Sequence, residues 1–193
     1  MDGAHELLAA AEQTGRTAEL GRLLREMAIQ PITALSDGLS LFVNLHPMEL
    51  YDRQLVAGAG TLEAFASRIV FEITQCMRIP DQDRLAGTLS RLRSSGFAIG
   101  LDDLPSGYEA LSSVIQLKPQ YVKIPMSRIH AGREDACQQR INKHLAEHCH
   151  AENIQLIVSH VENQQDLDLA VDNGCHLTQG HGLGRELEAA QLE

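Results

Sequence analysis

A parallel α/β fold, closing toward a (β/α) barrel, is what this 193-residue sequence predicts. Three observations carry the prediction. Short apolar runs alternate with stretches of helical periodicity along the whole chain, which is the signature of a parallel sheet with crossover helices. No glycine-rich phosphate loop follows the first of these runs, which argues against a dinucleotide-binding open sheet. Polar residues also recur at or near the C-terminal ends of the runs, and in a barrel all strands end on one face.

The elements follow in order. Residues 4–28 place Leu7, Leu8 and Ala11, then Leu20, Leu23, Leu24 and Met27, at helical spacing broken near Thr14-Gly15, so two helices with a turn are expected. Residues 39–45 read as a strand, with a helix from Met48. Residues 68–74 read as the second strand, followed by a helix over 81–95. The run Phe97–Leu101 is the third strand, with a short helix from Tyr108 to Gln116. Residues 121–124 form the fourth strand, and one amphipathic helix is expected over 134–151. Residues 154–158 form the fifth strand, a helix covers 164–173 with Gly174 as its stop, and residues 175–178 form the sixth strand.

With 44% hydrophobic residues the chain buries a real core, though one poor in aromatics: no Trp, 4 Phe and 3 Tyr. The length suits one α/β domain over residues 1–193, or part of a larger protein. A formal charge of −10, with the 16 basic residues scattered, argues against DNA or RNA as a partner. No apolar run reaches membrane-spanning length and Met1-Asp-Gly-Ala-His-Glu is no signal peptide, so a soluble cytoplasmic chain is expected. Cys76, Cys137, Cys149 and Cys175 lie far apart with no Cys-x-x-Cys pair, as expected of free thiols in a reducing compartment. His144 and His148 stand at i, i+4, a metal-capable spacing that a solvated helix face explains equally.

The most informative segment is Gly96-Phe-Ala-Ile-Gly-Leu-Asp102-Asp103-Leu-Pro-Ser-Gly107. A buried strand delivers two adjacent carboxylates into a turn. Paired anions repel and require a cation, a donor cluster or a proton. An Asx turn capping the following helix accounts for the same residues. Beyond this pair, Asn44, Glu72, Lys123, Ser159 to Glu162, and Gln179 fall at or near other strand ends, aimed at one mouth.

These positions carry a resemblance to the EAL domain, the TIM-barrel-like (β/α) domain of cyclic di-GMP phosphodiesterases. Val43-Asn44-Leu45-His46-Pro47 resembles the family's N-[LV]-S-P motif, and Phe71-Glu72-Ile73-Thr74-Gln75 its E-[LI]-T-E motif. Leu101-Asp102-Asp103-Leu104-Pro105-Ser106-Gly107 is similar to D-D-F-G-[TS]-G, and Tyr121-Val122-Lys123-Ile124 to L-K-I-D. Val158-Ser159-His160-Val161-Glu162 resembles A-E-G-V-E, Gln179-Gly180-His181 resembles Q-G-Y, and Glu12 to Gly15 resembles the A-E-x-T-G helix end. The resemblance implies two divalent ions, Mg²⁺ or Mn²⁺, that activate a water for attack on one phosphodiester. It assigns metal ligation to Asn44, Glu72, Asp102 and Asp103. Lys123 and Glu162 take catalytic roles, and Gln179 and Arg185 fall to the ligand.

The departures shape the expectation of function. The family's namesake Glu-x-Leu strand, with one metal ligand and a nearby phosphate-binding Arg, would precede residue 1, so the barrel is expected to be incomplete at its N-terminus. The second Glu of E-L-T-E is Gln75, the first Glu of A-E-G-V-E is Ser159, the Asp after Lys-Ile is Pro125, and Phe-Gly is Leu104-Pro105. The metal residues and the catalytic pair are therefore expected to be vestigial, with at most one ion held. The expected function is a catalytically impaired regulatory or protein-interaction module, its partner a protein, other domains of a longer chain or a second copy. The alternatives are a cyclic di-GMP sensor, or a residual phosphodiesterase if upstream strands complete the site. His160 and His181 replace a Gly and an aromatic, and with Asp102 and Asp103 they suggest either a zinc-like site or drift in a pocket freed from catalysis.

Overall fold

The computed structural model describes residues 2–33, 38–52, 55, 60–74, 81–104 and 107–185. Among them are six strands: β1 (Leu41–Leu45), β2 (Ile69–Thr74), β3 (Ala98–Asp102), β4 (Tyr121–Pro125), β5 (Gln155–Ser159) and β6 (Leu177–Thr178). The α-helices are α1 (Asp2–Gln13), α2 (Thr17–Ile29), α3 (Gln82–Ser94), α4 (Tyr108–Leu117), α5 (Met126–Glu134), α6 (Ala136–Ala151) and α7 (Gln164–Asp172). These residues form two compact units, the first holding the described part of 2–73 with 81–98, the second holding 74 and 99–185.

In the first unit β1 and β2 pair in parallel from Leu41↔Ile69 to Leu45↔Ile73, which sets Asn44 abreast of Glu72. Five of the six residues of β2 are buried, as a strand covered on both faces requires. Phe71 stacks on Phe97 with ring centroids 4.9 Å apart, anchoring the strand to the end of α3. Between α1 and α2 the chain turns at Gly15 (φ +68°), and the Arg16 N–H donates to the Ala11 carbonyl at 2.8 Å. On α2, Arg25 pairs with Glu49, and both side chains are 3% exposed. Gly21 makes room for that carboxylate, since a Cβ there would sit 1.7 Å from Glu49 Oε2.

The helix expected from Met48 is a 3₁₀ turn over Pro47–Tyr51. His46 caps it: Nδ1 accepts the Met48 N–H, and Glu49 reaches back to the His46 N–H at 2.9 Å. The chain leaves at Asp52 in extended conformation, so one turn forms and no α-helix propagates.

The second unit pairs β3-β4-β5-β6 in parallel. Ile99, Leu101, Val122, Ile124, Leu156 and Val158 are almost fully buried, packed with Ala110, Val114, Ile129, Leu145 and Ala170 from the helices. The single helix expected over 134–151 is two helices, because Asp135 breaks the run and caps α6, its carboxylate accepting the Cys137 N–H at 2.8 Å. The helix before it, α5, was hidden because Met126 and Ile129 make no repeating apolar stripe among Arg128, Ala131 and Gly132. Buried Arg128 ties the pair together, donating from Nε to Asn142 Oδ1 at 2.9 Å and from Nη1 to the Leu104 carbonyl at 3.5 Å. The sixth strand is confined to Leu177–Thr178, with Cys175 and His176 in the approach to it.

Cys137, Cys149 and Cys175 are free thiols. Among the described residues no helix is long and apolar enough to cross a membrane. Gln75, Cys76, Pro105 and Ser106 lie outside the described residues.

Candidate functional site

A cleft of about 440 Å³ opens in the second unit where its strands end. Asp102 closes β3, Ser159 closes β5, and Gln179 follows β6 directly, while Lys123 sits in the middle of β4. All four line the cleft together with His160, Glu162, His181 and Arg185. The register explains the first pairing: Leu101 lies opposite Val122, so the next residues, Asp102 and Lys123, stand abreast.

The loops behind the cleft are built by backbone contacts. The Val161 N–H donates to the Gln179 carbonyl at 3.0 Å and the Gly182 N–H to the Val161 carbonyl at 2.9 Å. This seating requires glycine, since a Cβ on Gly180 would lie 2.1 Å from the Val161 oxygen and one on Gly182 would lie 2.4 Å from the Glu162 carbonyl carbon. Glu162 is fixed from behind by buried Asp166, whose Oδ2 accepts the Glu162 N–H at 3.0 Å and an Asn163 side-chain N–H at 3.1 Å. The other Asp166 oxygen pairs with His130 Nε2 at 3.0 Å, bracing the loop on α5. Sequence reasoning missed Asp166, although Asn163 three residues ahead of it is a helix N-cap signal.

Ser159 is buried and its hydroxyl lies 3.4 Å from the Ile124 carbonyl and 3.1 Å from His160 Nδ1. His160 itself holds φ +62°, in the left-handed region. Asp103 also adopts a positive φ, +49°, and donates its N–H to Asp102 Oδ1 at 2.8 Å. Neither aspartate caps α4, whose N-cap is Gly107 with no side-chain cap, so helix capping does not account for the pair. Asp103 is exposed and is not among the residues lining the cleft. Asn44 and Glu72 belong to the first unit, Asn44 exposed and Glu72 buried.

Within the second unit the described residues lining the cleft supply two carboxylates, Asp102 and Glu162. A two-ion centre needs several oxygen ligands converging on each dication. Among the described residues no three His, Cys, Asp or Glu side chains gather closely enough to hold a metal ion. No group of three such side chains among the described residues includes His160 and His181 with the aspartates, or His144 and His148. Asp102 spends one oxygen on a backbone N–H, and Ser159 supplies a hydroxyl at the end of β5.

A sequence model of the EAL domain matches residues 3–186. The chain belongs to the EAL domain family. The EAL domain is 31% identical over 117 residues to the cyclic di-GMP phosphodiesterase PdeB of Shewanella oneidensis, covering 61% of this chain and 14% of that protein. It is 28% identical over 190 residues to the uncharacterized protein y4lL of Sinorhizobium fredii, covering 96% of this chain and 23% of that protein. It thus spans less than a quarter of the length of either relative. The solved structure of the PaMucR phosphodiesterase in complex with c-di-GMP superposes with a TM-score of 0.83 at 23% identity, covering 98% of this chain and 80% of that one. That likeness shows the TIM-barrel-like α/β fold of EAL domains.

Proposed function

We propose that this EAL domain is a catalytically impaired regulatory module of cyclic di-GMP signalling, one whose cleft receives the dinucleotide without cleaving it efficiently. The observation that carries the reading is Ser159. At the end of β5, where the family motif has a carboxylate, this chain has a buried hydroxyl engaged with the Ile124 carbonyl and His160. A hydroxyl so placed cannot serve as a general base, and loss of such a base costs roughly 10²–10⁴ in rate. The ligand class comes from the relatives, one named a cyclic di-GMP phosphodiesterase and one solved with c-di-GMP bound. Lys123 and Arg185 meet phosphate charge in this reading, Gln179 offers an amide to the ligand, and Glu162 is a vestige of the catalytic set. No step passes through a metal ion.

The formal charge of −10 supports a second reading, in which the domain docks a basic protein surface. Calorimetric titration of cyclic di-GMP with Mg²⁺ or Mn²⁺ present, with the same samples analysed for linear product, separates the two. Binding without product is the expected result. Steady product overturns the claim of impairment, and neither binding nor product leaves protein docking.

A further inference from the structure

We propose that the cleft holds the phosphodiester of a cyclic dinucleotide without a divalent ion, using the imidazoles of His160 and His181 beside Lys123 and Arg185. The inference deepens the reading above and rests on it. It starts from the chemistry of this chain's donors: the described residues lining the cleft offer two carboxylates, Asp102 and Glu162, and Ser159 gives a hydroxyl where the motif it resembles has a third. An anionic ligand must still be neutralised on entering a partly enclosed site, because an uncompensated charge removed from water is costly. Among the described residues lining the cleft, Lys123 and Arg185 are matched in charge by the carboxylates Asp102 and Glu162. The imidazole N–H groups of His160 and His181 are the further donors an anion would use.

Among the described non-glycine residues lining the cleft, His160 is the one at positive φ. Its φ of +62° belongs to a region glycine enters freely and other residues enter at a cost. The motif it resembles has glycine there, so an unstrained choice exists for this turn. Strain of this kind collects at ligand clamps, and the sound direction of argument runs from the outlier to a role. The ring is also oriented: Nδ1 lies 3.1 Å from Ser159 Oγ, which leaves Nε2 to a ligand. The same serine that vacates the position of the catalytic carboxylate thus aims an imidazole. His181 reaches the cleft on the loop that Gly180 and Gly182 seat against the loop after β5.

Histidine 160 permits a clean test, because His160→Gly restores the residue the turn prefers. Cyclic di-GMP is titrated by calorimetry into the whole chain in EDTA, and into His160→Gly and His181→Phe, with unfolding midpoints recorded for each. Wild type is expected to bind in EDTA as tightly as with Mn²⁺. Each variant should bind about tenfold more weakly, the scale of one lost hydrogen bond to a charged group, with the midpoint of His160→Gly unchanged or raised. Wild-type binding that needs Mn²⁺ overturns the inference and leaves the proposed function standing. Binding in EDTA that neither variant weakens overturns it too, and assigns the phosphate to Lys123 and Arg185. Absence of binding in both EDTA and Mn²⁺ overturns the sensing reading itself, and the inference with it.

Discussion

The carboxylate of Asp166 accepts the backbone N–H of Glu162 at 3.0 Å, and the same side chain pairs with His130 at 3.0 Å. One buried acid therefore holds the loop after β5 to both α5 and α7, and that loop carries Val161, Glu162 and Asn163 against the β6 loop. Replacing Asp166 by Ala leaves the Glu162 N–H without its acceptor. We expect a loss of about 1–3 kcal/mol in urea unfolding, with dinucleotide binding weakened more than by His130→Ala, since His130 is itself half exposed. Equal effects of the two variants on binding would show that Asp166 does not position the loop.

Asp102 stands abreast of Lys123 in the cleft. In a metal site its removal weakens ligand binding. In a metal-free phosphate site its removal takes away a repulsive charge, so Asp102→Asn should tighten cyclic di-GMP binding in EDTA by about two- to fivefold, the scale of one partly exposed charge interaction. Calorimetry on the variant reads the sign directly.

The Arg25–Glu49 pair is buried on both sides. Truncating Arg25 to Ala strands a carboxylate in the interior and should cost about 3–5 kcal/mol. Arg25→Met combined with Glu49→Leu removes both charges and should recover most of that loss. Gly21→Ala pushes a methyl into the space of Glu49 Oε2 and should be strongly destabilising despite its better helix propensity. Denaturant midpoints for the four proteins form the test.

Burial pushes the Cys149 thiol from 9.0 to about 11. The thiolate is the reactive form, so at pH 8 a thiol reagent should modify exposed Cys137 rapidly and leave Cys149 untouched until the chain unfolds. The linkage has a definite sign. Between pH 9 and 11 the unfolded chain releases this proton and the folded chain keeps it, so Cys149's contribution to stability is whole below pH 9 and is lost as pH rises toward 11. Cys149→Ala should flatten the alkaline limb of the stability curve.

Much of the fold was legible in order along the chain. The six strands stand where short apolar runs predicted them, and β2, β3 and β5, buried along nearly their whole length, left the most continuous hydrophobic trace. The turn at Thr14-Gly15 and the stop at Gly174 were legible for a local reason, the positive φ that both glycines adopt. The α5–α6 division was not, because α5 carries no repeating apolar stripe that would mark it as a separate helix. The Met48 helix proved a single 3₁₀ turn, the chain being extended again at Asp52.

By itself the sequence determined the family, the order of the elements and the chemical types presented at strand ends, because these depend on local periodicity and on motifs a few residues long. Tertiary structure decided which of those groups meet. Asp102, Lys123, Glu162, Gln179 and Arg185 share one cleft while Asp103 turns away from it, a matter of parallel register and of a backbone forced to positive φ. The brace from Asp166 to the Glu162 loop and the aim of His160 from Ser159 belong to the same category. Each depends on contacts between segments that only the folded sheet brings within hydrogen-bonding distance.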